Sequence, residues 1–296
     1  MEIDAFFVLS AGFGSRMGKI GDILPKPLWP VFEKTLLELQ FDFYHWTGAK
    51  RKFINIHHQA KKIEKFVANH LPEVKCLYEK NLLGVGGGIL NLKNNYPKLN
   101  SVLISNVDQF FFISQEKIKN EINQLYDFDA ILFALPVCRS QGYNQLEISK
   151  EGQLLGINSN PSIDRYLTYS GVALINCSTI KDETKAIGLF KSIADPKKRR
   201  VKVVNGEGPY YDLGTIDLYI KQFISLLEQM KKKESGDFFE FLKKVKGVNV
   251  ERMSASFNSD HSKNINEYCF RDLKITMDNE AFKLESDKLI DLYEAE

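Results

Sequence analysis

The stretch Val8 to Val31, VLSAGFGSRMGKIGDILPKPLWPV, decides how the rest of the chain is read. The apolar run Ala5 to Leu9 suits a strand buried on both faces, and it passes directly into a glycine-rich, serine-bearing, basic loop. Gly12 and Gly14 let the backbone turn its N–H groups inward, and Arg16 and Lys26 add two positive charges, so the expected guest is a polyphosphate. Two other phosphate loops do not fit. In GxGxxG the third glycine falls at Met17, and in GxxxxGKS/T a lysine and a hydroxyl must follow the second glycine, whereas Gly14 is followed by Ser15 and Arg16.

Outward from this stretch, 296 residues with 44% hydrophobic content suffice for one large α/β domain plus an appendage. Lys and Arg total 40 against 38 acidic residues, and a net charge of +2 gives no footprint of a nucleic-acid partner. Cys76, Cys138, Cys177 and Cys269 stand far apart without a CxxC pair, as reduced buried thiols do. The N-terminus lacks a basic n-region and cleavage site, and no apolar run reaches about 18 residues. A soluble, cytoplasmic protein without a membrane partner is expected, and a homo-oligomer is compatible with the sequence.

Strands and helices alternate through the first half. Helical spacing runs over Lys34 to Gly48 and Gln59 to Leu71, and strands are expected at Lys52 to Ile56, Val74 to Tyr78, Ser101 to Ser105 and Ala130 to Val137, with a helix over Gln115 to Leu125. Gln145 to Ile148, Leu154 to Ile157 and Leu167 to Ile175 are strand-like without intervening helices, which predicts antiparallel additions. The expected fold class is therefore α/β, a doubly wound, mostly parallel but mixed sheet flanked by helices. The basic run Lys197 to Arg200 reads as a solvated turn, and Thr215 to Met230 as an amphipathic helix. Beyond Glu234 one further helix, a polar stretch and a strand over Tyr268 to Ile275 are expected, without a hexapeptide repeat.

The opening stretch matches L-A/S-A-G-x-G-S/T-R-M followed by P-K-P-L-x-P-V, and in this it resembles the sugar-1-phosphate nucleotidyltransferases. That resemblance implies a Rossmann-like nucleotidyltransferase (GT-A-like) catalytic domain over residues 1–233, with a C-terminal extension of unassigned role over 234–296. It assigns nucleotide binding to Ala11, Gly12, Gly14 and Ser15, and catalysis to Arg16 and Lys26.

Three further stretches carry the same likeness. Glu79 to Ile89, EKNLLGVGGGI, is similar to the family's base-embracing element, which implies nucleotide contacts at Glu79, Gly84, Gly86 and Gly87; Val85 stands where threonine is usual. Val102 to Asp108 ends like the family's N-G-D, implying that Asn106 meets substrate and Asp108 holds magnesium, with Val107 in the glycine position. Gly208 to Ile216 resembles W-x-D-x-G-T-P and makes Asp212 the second metal ligand. Ser159 to Pro161 replaces E-K-P, leaving Asn160 where a sugar-phosphate lysine stands, whereas Tyr169 to Val172 matches a sugar-contacting segment through Ser170 and Gly171. The I-N-x-H at Ile54 to His57 and the L-T-x-S-G at Leu167 to Gly171 resemble most the N-acetylmuramate-1-phosphate uridylyltransferase branch. His57 and His58, being adjacent on a strand, point to opposite faces and are read as structural.

The resemblance implies Mg2+-dependent transfer of a nucleoside monophosphate from a nucleoside triphosphate, UTP favoured, to a sugar 1-phosphate, with release of pyrophosphate. Alternatives are a guanylyltransferase using GTP, a cytidylyltransferase with a phosphocholine-type acceptor, and a non-catalytic nucleotide-sugar-binding regulator.

Overall fold

The run Ala5–Leu9 forms β1, and all five residues are buried, as a strand covered on both faces must be. The other strands of the same sheet are β2 Arg51–Ile56, β3 Val74–Tyr78, β4 Ser101–Asn106, β5 Ala130–Cys138, β6 Arg165–Asn176 and β7 Val201–Asn205. In this computed structural model they form a seven-stranded sheet in the order β7-β5-β6-β4-β1-β2-β3. β6 runs antiparallel to β5 and β4, and every other neighbouring pair is parallel, which is the mixed, mostly parallel sheet expected. The structure describes residues 2–15, 21, 24–31, 33–180, 187–232, 236–248, 266–270, 273–277 and 282–285. The helices among them are α1 Leu36–Phe43, α2 Ala60–His70, α3 Gly84–Asn95, α4 Gln115–Gln124, α5 Ile216–Lys232 and α6 Asp237–Lys244. None of the described helices is long and apolar enough to cross a membrane.

The chain divides into two units, one comprising Met1–Gly12, Tyr44–His58 and Pro72–Tyr210, the other Phe13–Phe43, Gln59–Leu71 and Tyr211–Glu296. The first holds the whole sheet. One face of the sheet packs Phe7, Phe53, Val102, Leu132 and Ala173 against Ile89, Leu90 and Leu92 of α3, with Leu189 and Ile193 completing the layer. At the far edge, Lys202 of β7 is tied to Glu121 of α4 at 2.6 Å. The basic run is more than a solvated turn: Arg199 donates to the Thr179 carbonyl at 2.8 Å and Arg200 N to Asp129 Oδ2 at 2.7 Å, while Lys197 and Lys198 are exposed. Cys177 is buried as expected, but Cys76 and Cys138 are partly exposed, so the set is not uniformly buried.

In the second unit, Thr35 and Glu38 form a reciprocal cap: Thr35 Oγ1 accepts from Glu38 N at 3.2 Å, and Glu38 Oε2 accepts from Thr35 N at 2.8 Å. This fixes the start of α1 and shortens the helix expected over Lys34 to Gly48. The remainder, in the first unit, is a separate 3-10 turn, His45–Thr47, ended by Gly48 at φ 61°. Trp29 meets Tyr219 of α5 edge-on at 5.0 Å, and the Tyr219 hydroxyl donates to the Pro30 carbonyl. Phe241 of α6 meets Phe43 at 5.1 Å, and Phe238 meets Tyr211 at 4.9 Å. The strand expected over Tyr268 to Ile275 is instead two antiparallel strands, Asn266–Phe270 and Leu273–Met277, and Phe282–Glu285 pairs with the second.

Candidate active site

The first unit gathers the predicted residues at the carboxyl ends of its parallel strands, where open α/β sheets bind ligands. Leu9 at the end of β1 is in register with Asn106 at the end of β4, and Val107 N donates to the Leu9 carbonyl at 3.2 Å. Ala11, directly beyond β1, is buried, and Gly12 is exposed with open space around the position of a Cβ. Asp108 follows in the turn leaving β4 and is only 8% exposed. Val107, in the position where the resembled motif has glycine, is buried at 4% exposure, so its side chain fills core.

The segment Tyr169 to Val172, expected to contact the sugar, departs from regular pairing through a bulge. The pairing of β6 with β5 is regular up to Tyr169 opposite Ala134 and resumes at Ala173 opposite Leu132, leaving Ser170, Gly171 and Val172 to bend the strand. Ser170 is fully buried and donates its hydroxyl to the Phe133 carbonyl at 2.6 Å, so it shapes the bulge. Gly171 is at φ +86°, and a Cβ there would lie 2.1 Å from Gln109 Oε1 and 2.8 Å from Asn106 Nδ2; no side chain fits. Asn106 in turn donates from Nδ2 to Gln109 Oε1 at 2.7 Å. Asn160, where the family's lysine is missing, is exposed in a turn with its N–H on Asn158 Oδ1.

The glycine turn opens α3 as predicted, but its glycines face inward. A Cβ on Gly86 would lie 2.1 Å from Ser192 Oγ and 2.9 Å from the Ile187 carbonyl oxygen, and one on Gly84 would lie 3.1 Å from that same oxygen. Gly87 N donates to this carbonyl at 3.1 Å, and Ile187 N donates to the Leu83 carbonyl at 2.8 Å. The surface expected to face a base is thus covered by the chain's own residues 187–192, and the missing side chains admit that segment. Val85 packs against the core, an apolar use of the position where the family has a hydroxyl. Glu79 is 1% exposed and spends both oxygens internally, Oε1 on Asn55 Nδ2 at 2.8 Å and Oε2 on Leu83 N at 2.9 Å. It holds the turn. His57 Nδ1 lies 2.8 Å from the Glu79 carbonyl oxygen, which fits its structural reading.

The second unit brings Gly14, Lys26 and Asp212 together. Gly14 is at φ +65°, and a Cβ there would stand 3.6 Å from Lys26 Cβ, so the two halves of the opening stretch lie against each other. Ser15 is exposed. Pro25, at φ −63°, leads into the 3-10 turn Lys26–Leu28, and Lys26 is 9% exposed with Nζ donating to the Gly214 carbonyl at 2.8 Å. Gly214 N donates to Asp212 Oδ1 at 2.7 Å. Asp212 closes a turn and does not cap α5; that cap is Thr215, whose Oγ1 accepts from Leu218 N at 3.3 Å. Arg16, the other expected catalytic cation, lies outside the described residues.

Among the described residues no cluster of three or more His, Cys, Asp or Glu could hold a metal ion by protein ligands alone. Of the two acids expected to bind Mg2+, Asp108 belongs to the first unit and Asp212 to the second, and a carboxylate is the donor type that this ion takes. Three residues that sequence reading passed over carry much of this arrangement: Asn55, Gln109 and Gly214. Asn55 stood inside the quoted I-N-x-H stretch, and its signal was an amide in an otherwise apolar strand.

No family model matches the chain. It is similar to the D-glycero-α-D-manno-heptose 1-phosphate guanylyltransferase of Campylobacter jejuni, with 30% identity over 131 residues that cover 41% of this chain and 58% of that one. It is also similar to a bifunctional sugar-1-phosphate nucleotidylyltransferase/acetyltransferase of Sulfurisphaera tokodaii, with 26% identity over 70% of this chain and 52% of the relative. The chain therefore spans about half the length of the curated relatives it matches. In fold it is similar to HddC from Yersinia pseudotuberculosis, whose crystal structure in complex with GMP-PN aligns with a TM-score of 0.63 at 21% identity, over 75% of this chain and 99% of that one.

Proposed function

We propose, for a chain similar in sequence to sugar-1-phosphate nucleotidyltransferases and in fold to HddC, that it moves a nucleoside monophosphate from a nucleoside triphosphate to a sugar 1-phosphate. The observation that carries this reading is the joint fixing of Lys26 and Asp212 by Gly214, which ties a cation and an acid to the two backbone groups of one residue. A phosphate oxygen of the sugar 1-phosphate attacks the α-phosphorus; a P–O bond forms there as the α–β bridging P–O bond breaks, and pyrophosphate departs with the electron pair. No protein nucleophile is needed, so the residues act by positioning and by neutralising charge. Lys26 draws the α-phosphate and the incoming phosphate together, and Arg16 faces the departing pyrophosphate. Asn106 and Gly171 line the acceptor side, and the backbone from Ala11 to Ser15 approaches the triphosphate. A bound Mg2+ would supply charge neutralisation, and Asp108 and Asp212 each offer a carboxylate of the kind that would hold it.

For the base, guanosine takes first place, supported by the 30% identical relative named for guanylyl transfer. Uridine is the second reading, favoured by the likeness of the I-N-x-H and L-T-x-S-G stretches to the uridylyltransferase branch. Pyrophosphate release, measured with Mg2+, the four nucleoside triphosphates and a panel of sugar 1-phosphates plus phosphocholine, tests both. Release that requires a sugar 1-phosphate and is fastest with GTP is expected. Release with phosphocholine and CTP alone, or none with any pair, overturns the proposal.

A further inference from the structure

We infer that Asn55 is a positioning residue that locks the loop after β1, to which triphosphate binding is assigned, to the turn that opens α3. β2 lies between β1 and β3 in the sheet, so a side chain near its carboxyl end can reach the loops that leave both neighbours. Asn55 does so. Its Oδ1 accepts from Ser10 N at 2.7 Å, its main-chain carbonyl accepts from Ser10 Oγ at 2.5 Å, and its Nδ2 donates to Glu79 Oε1 at 2.8 Å. The other carboxylate oxygen of Glu79 accepts from Leu83 N, the residue before α3. A continuous chain of bonds thus runs from Ser10 to Leu83, through side chains no more than 6% exposed.

Only an amide serves at position 55, because one side must present an acceptor to Ser10 N while the other presents a donor to a carboxylate. The glycines of α3 take part as well. A Cβ on Gly88 would stand 3.0 Å from Asn55 Nδ2 and 3.1 Å from Glu79 Oε1, so Gly88 is the position that leaves room for this pair. A buried polar chain in which the Asn55 and Glu79 side chains are both engaged is rigid, and removing its central member leaves a backbone N–H and a carboxylate without their partner.

The inference rests on the nucleotidyltransferase reading for what the locked loops bind, and two measurements on the full chain separate it from that reading. The first is amide hydrogen exchange. In Asn55→Ala the protection of Ser10 and Leu83 should fall together, whereas loss at Ser10 alone would mean that the chain of bonds does not couple the loops. The second is calorimetric titration with the nucleoside triphosphate that supports pyrophosphate release. Asn55→Ala should weaken binding about tenfold, the worth of one or two buried hydrogen bonds. Asn55→Asp should weaken it at least as much, by setting carboxylate against carboxylate. The double variant Asn55→Asp/Glu79→Gln should return affinity to within about threefold, because amide and carboxylate have exchanged places and each bond to Ser10 and Leu83 is kept. Equal affinity in Asn55→Asp and the double variant, both folded, overturns the inference. Absence of triphosphate binding by the unaltered chain overturns the nucleotidyltransferase reading, while the exchange result still decides the coupling.

Discussion

Lys26 and Asp212, 186 positions apart, are held by the two polar groups of a single residue: the Gly214 carbonyl accepts from Lys26 Nζ at 2.8 Å, and the Gly214 N–H donates to Asp212 Oδ1 at 2.7 Å. From sequence alone Lys26 reads as a loop charge, so its removal should cost activity and nothing else. Its burial changes that expectation. Lys26→Ala should lower kcat by at least about a hundredfold through the lost phosphate contact, and stability by about 1–2 kcal/mol through the stranded Gly214 carbonyl. Steady-state kinetics beside a urea titration separates the two losses. Undiminished kcat in the folded variant would remove Lys26 from the mechanism.

Gly86 offers the opposite contrast. Were it the floor of a base site, Gly86→Ala would raise KM for the triphosphate and leave stability alone. With Ser192 Oγ 2.1 Å and the Ile187 carbonyl oxygen 2.9 Å from the position of the new methyl, the cost should instead appear as about 2 kcal/mol of lost stability. Ser192→Ala added to Gly86→Ala should recover part of it, since the nearest obstacle is a side-chain hydroxyl. A change in KM with an unaltered melting temperature would restore the nucleotide-binding role.

The tyrosines allow a pH test. Burial raises the hydroxyls of Tyr169 and Tyr219 above their ordinary value of 10.0, with neighbouring Tyr44 adding to the effect on Tyr169. A phenol whose pKa is raised by folding contributes stability that is intact below pH 10 and is lost as pH climbs from there through the folded-state value, because the unfolded chain ionises first. The two should differ on truncation. The Tyr169 hydroxyl is buried with no hydrogen-bond partner among the described residues, so Tyr169→Phe should stabilise by about 1 kcal/mol and soften the alkaline loss. Tyr219→Phe forfeits the bond to the Pro30 carbonyl and should destabilise. Thermal melts of both variants at pH 7 and pH 10.5 read out the difference.

Residues beyond Glu234 lack a recognised motif, which invites a cut near Lys233 that leaves the catalytic constants intact. Aromatic contacts within the second unit argue for a later boundary. Phe238 and Leu242 are fully buried, and Phe241 and Phe238 meet Phe43 and Tyr211, the second of which directly precedes Asp212. A chain ending at Val248 should keep its melting temperature within a few degrees, whereas one ending at Lys233 should lose more than about 3 kcal/mol from the unpacked aromatics. Equal melting temperatures for the two would place the boundary at Lys233.

The strand pattern was legible because a strand buried on both faces carries a continuous apolar run, as Ala5–Leu9 does, and because Gln145–Ile148, QLEI, alternates as an antiparallel strand does. The candidate site was legible only as a list. Sequence gives Gly84 to Gly87 as glycines but cannot say what comes close to them, and here it is Ile187 and Ser192, a hundred residues on, that take the space. The same holds for Glu79: its motif position suggests a ligand contact, whereas its charge is absorbed by Asn55 and Leu83, which only the adjacency of β2 and β3 brings within reach. Gly214 was legible as the glycine of the W-x-D-x-G-T-P likeness, but its contact with Lys26 lies in its backbone, which residue type does not announce.

Asp108 and Asp212 remain the sharpest test, because each is a weak Mg2+ site alone and each is buried, at 8% and 9% exposure. Asp212 has one oxygen committed to Gly214 N, and substitution by asparagine preserves that acceptor while removing the charge. Asp212→Asn should therefore leave the turn and the placement of Lys26 intact, so that any loss of turnover reports on charge alone. If the two acids hold one ion, Asp108→Asn and Asp212→Asn should each lower kcat by orders of magnitude, and the double variant should be little worse than either, as expected of ligands that act as a unit. Each single change should also shift the Mg2+ concentration for half-maximal pyrophosphate release upward by at least about tenfold. Losses that multiply in the double variant, or an unshifted Mg2+ dependence in Asp212→Asn, would separate the two acids and leave Asp212 with the Gly214 turn as its sole role.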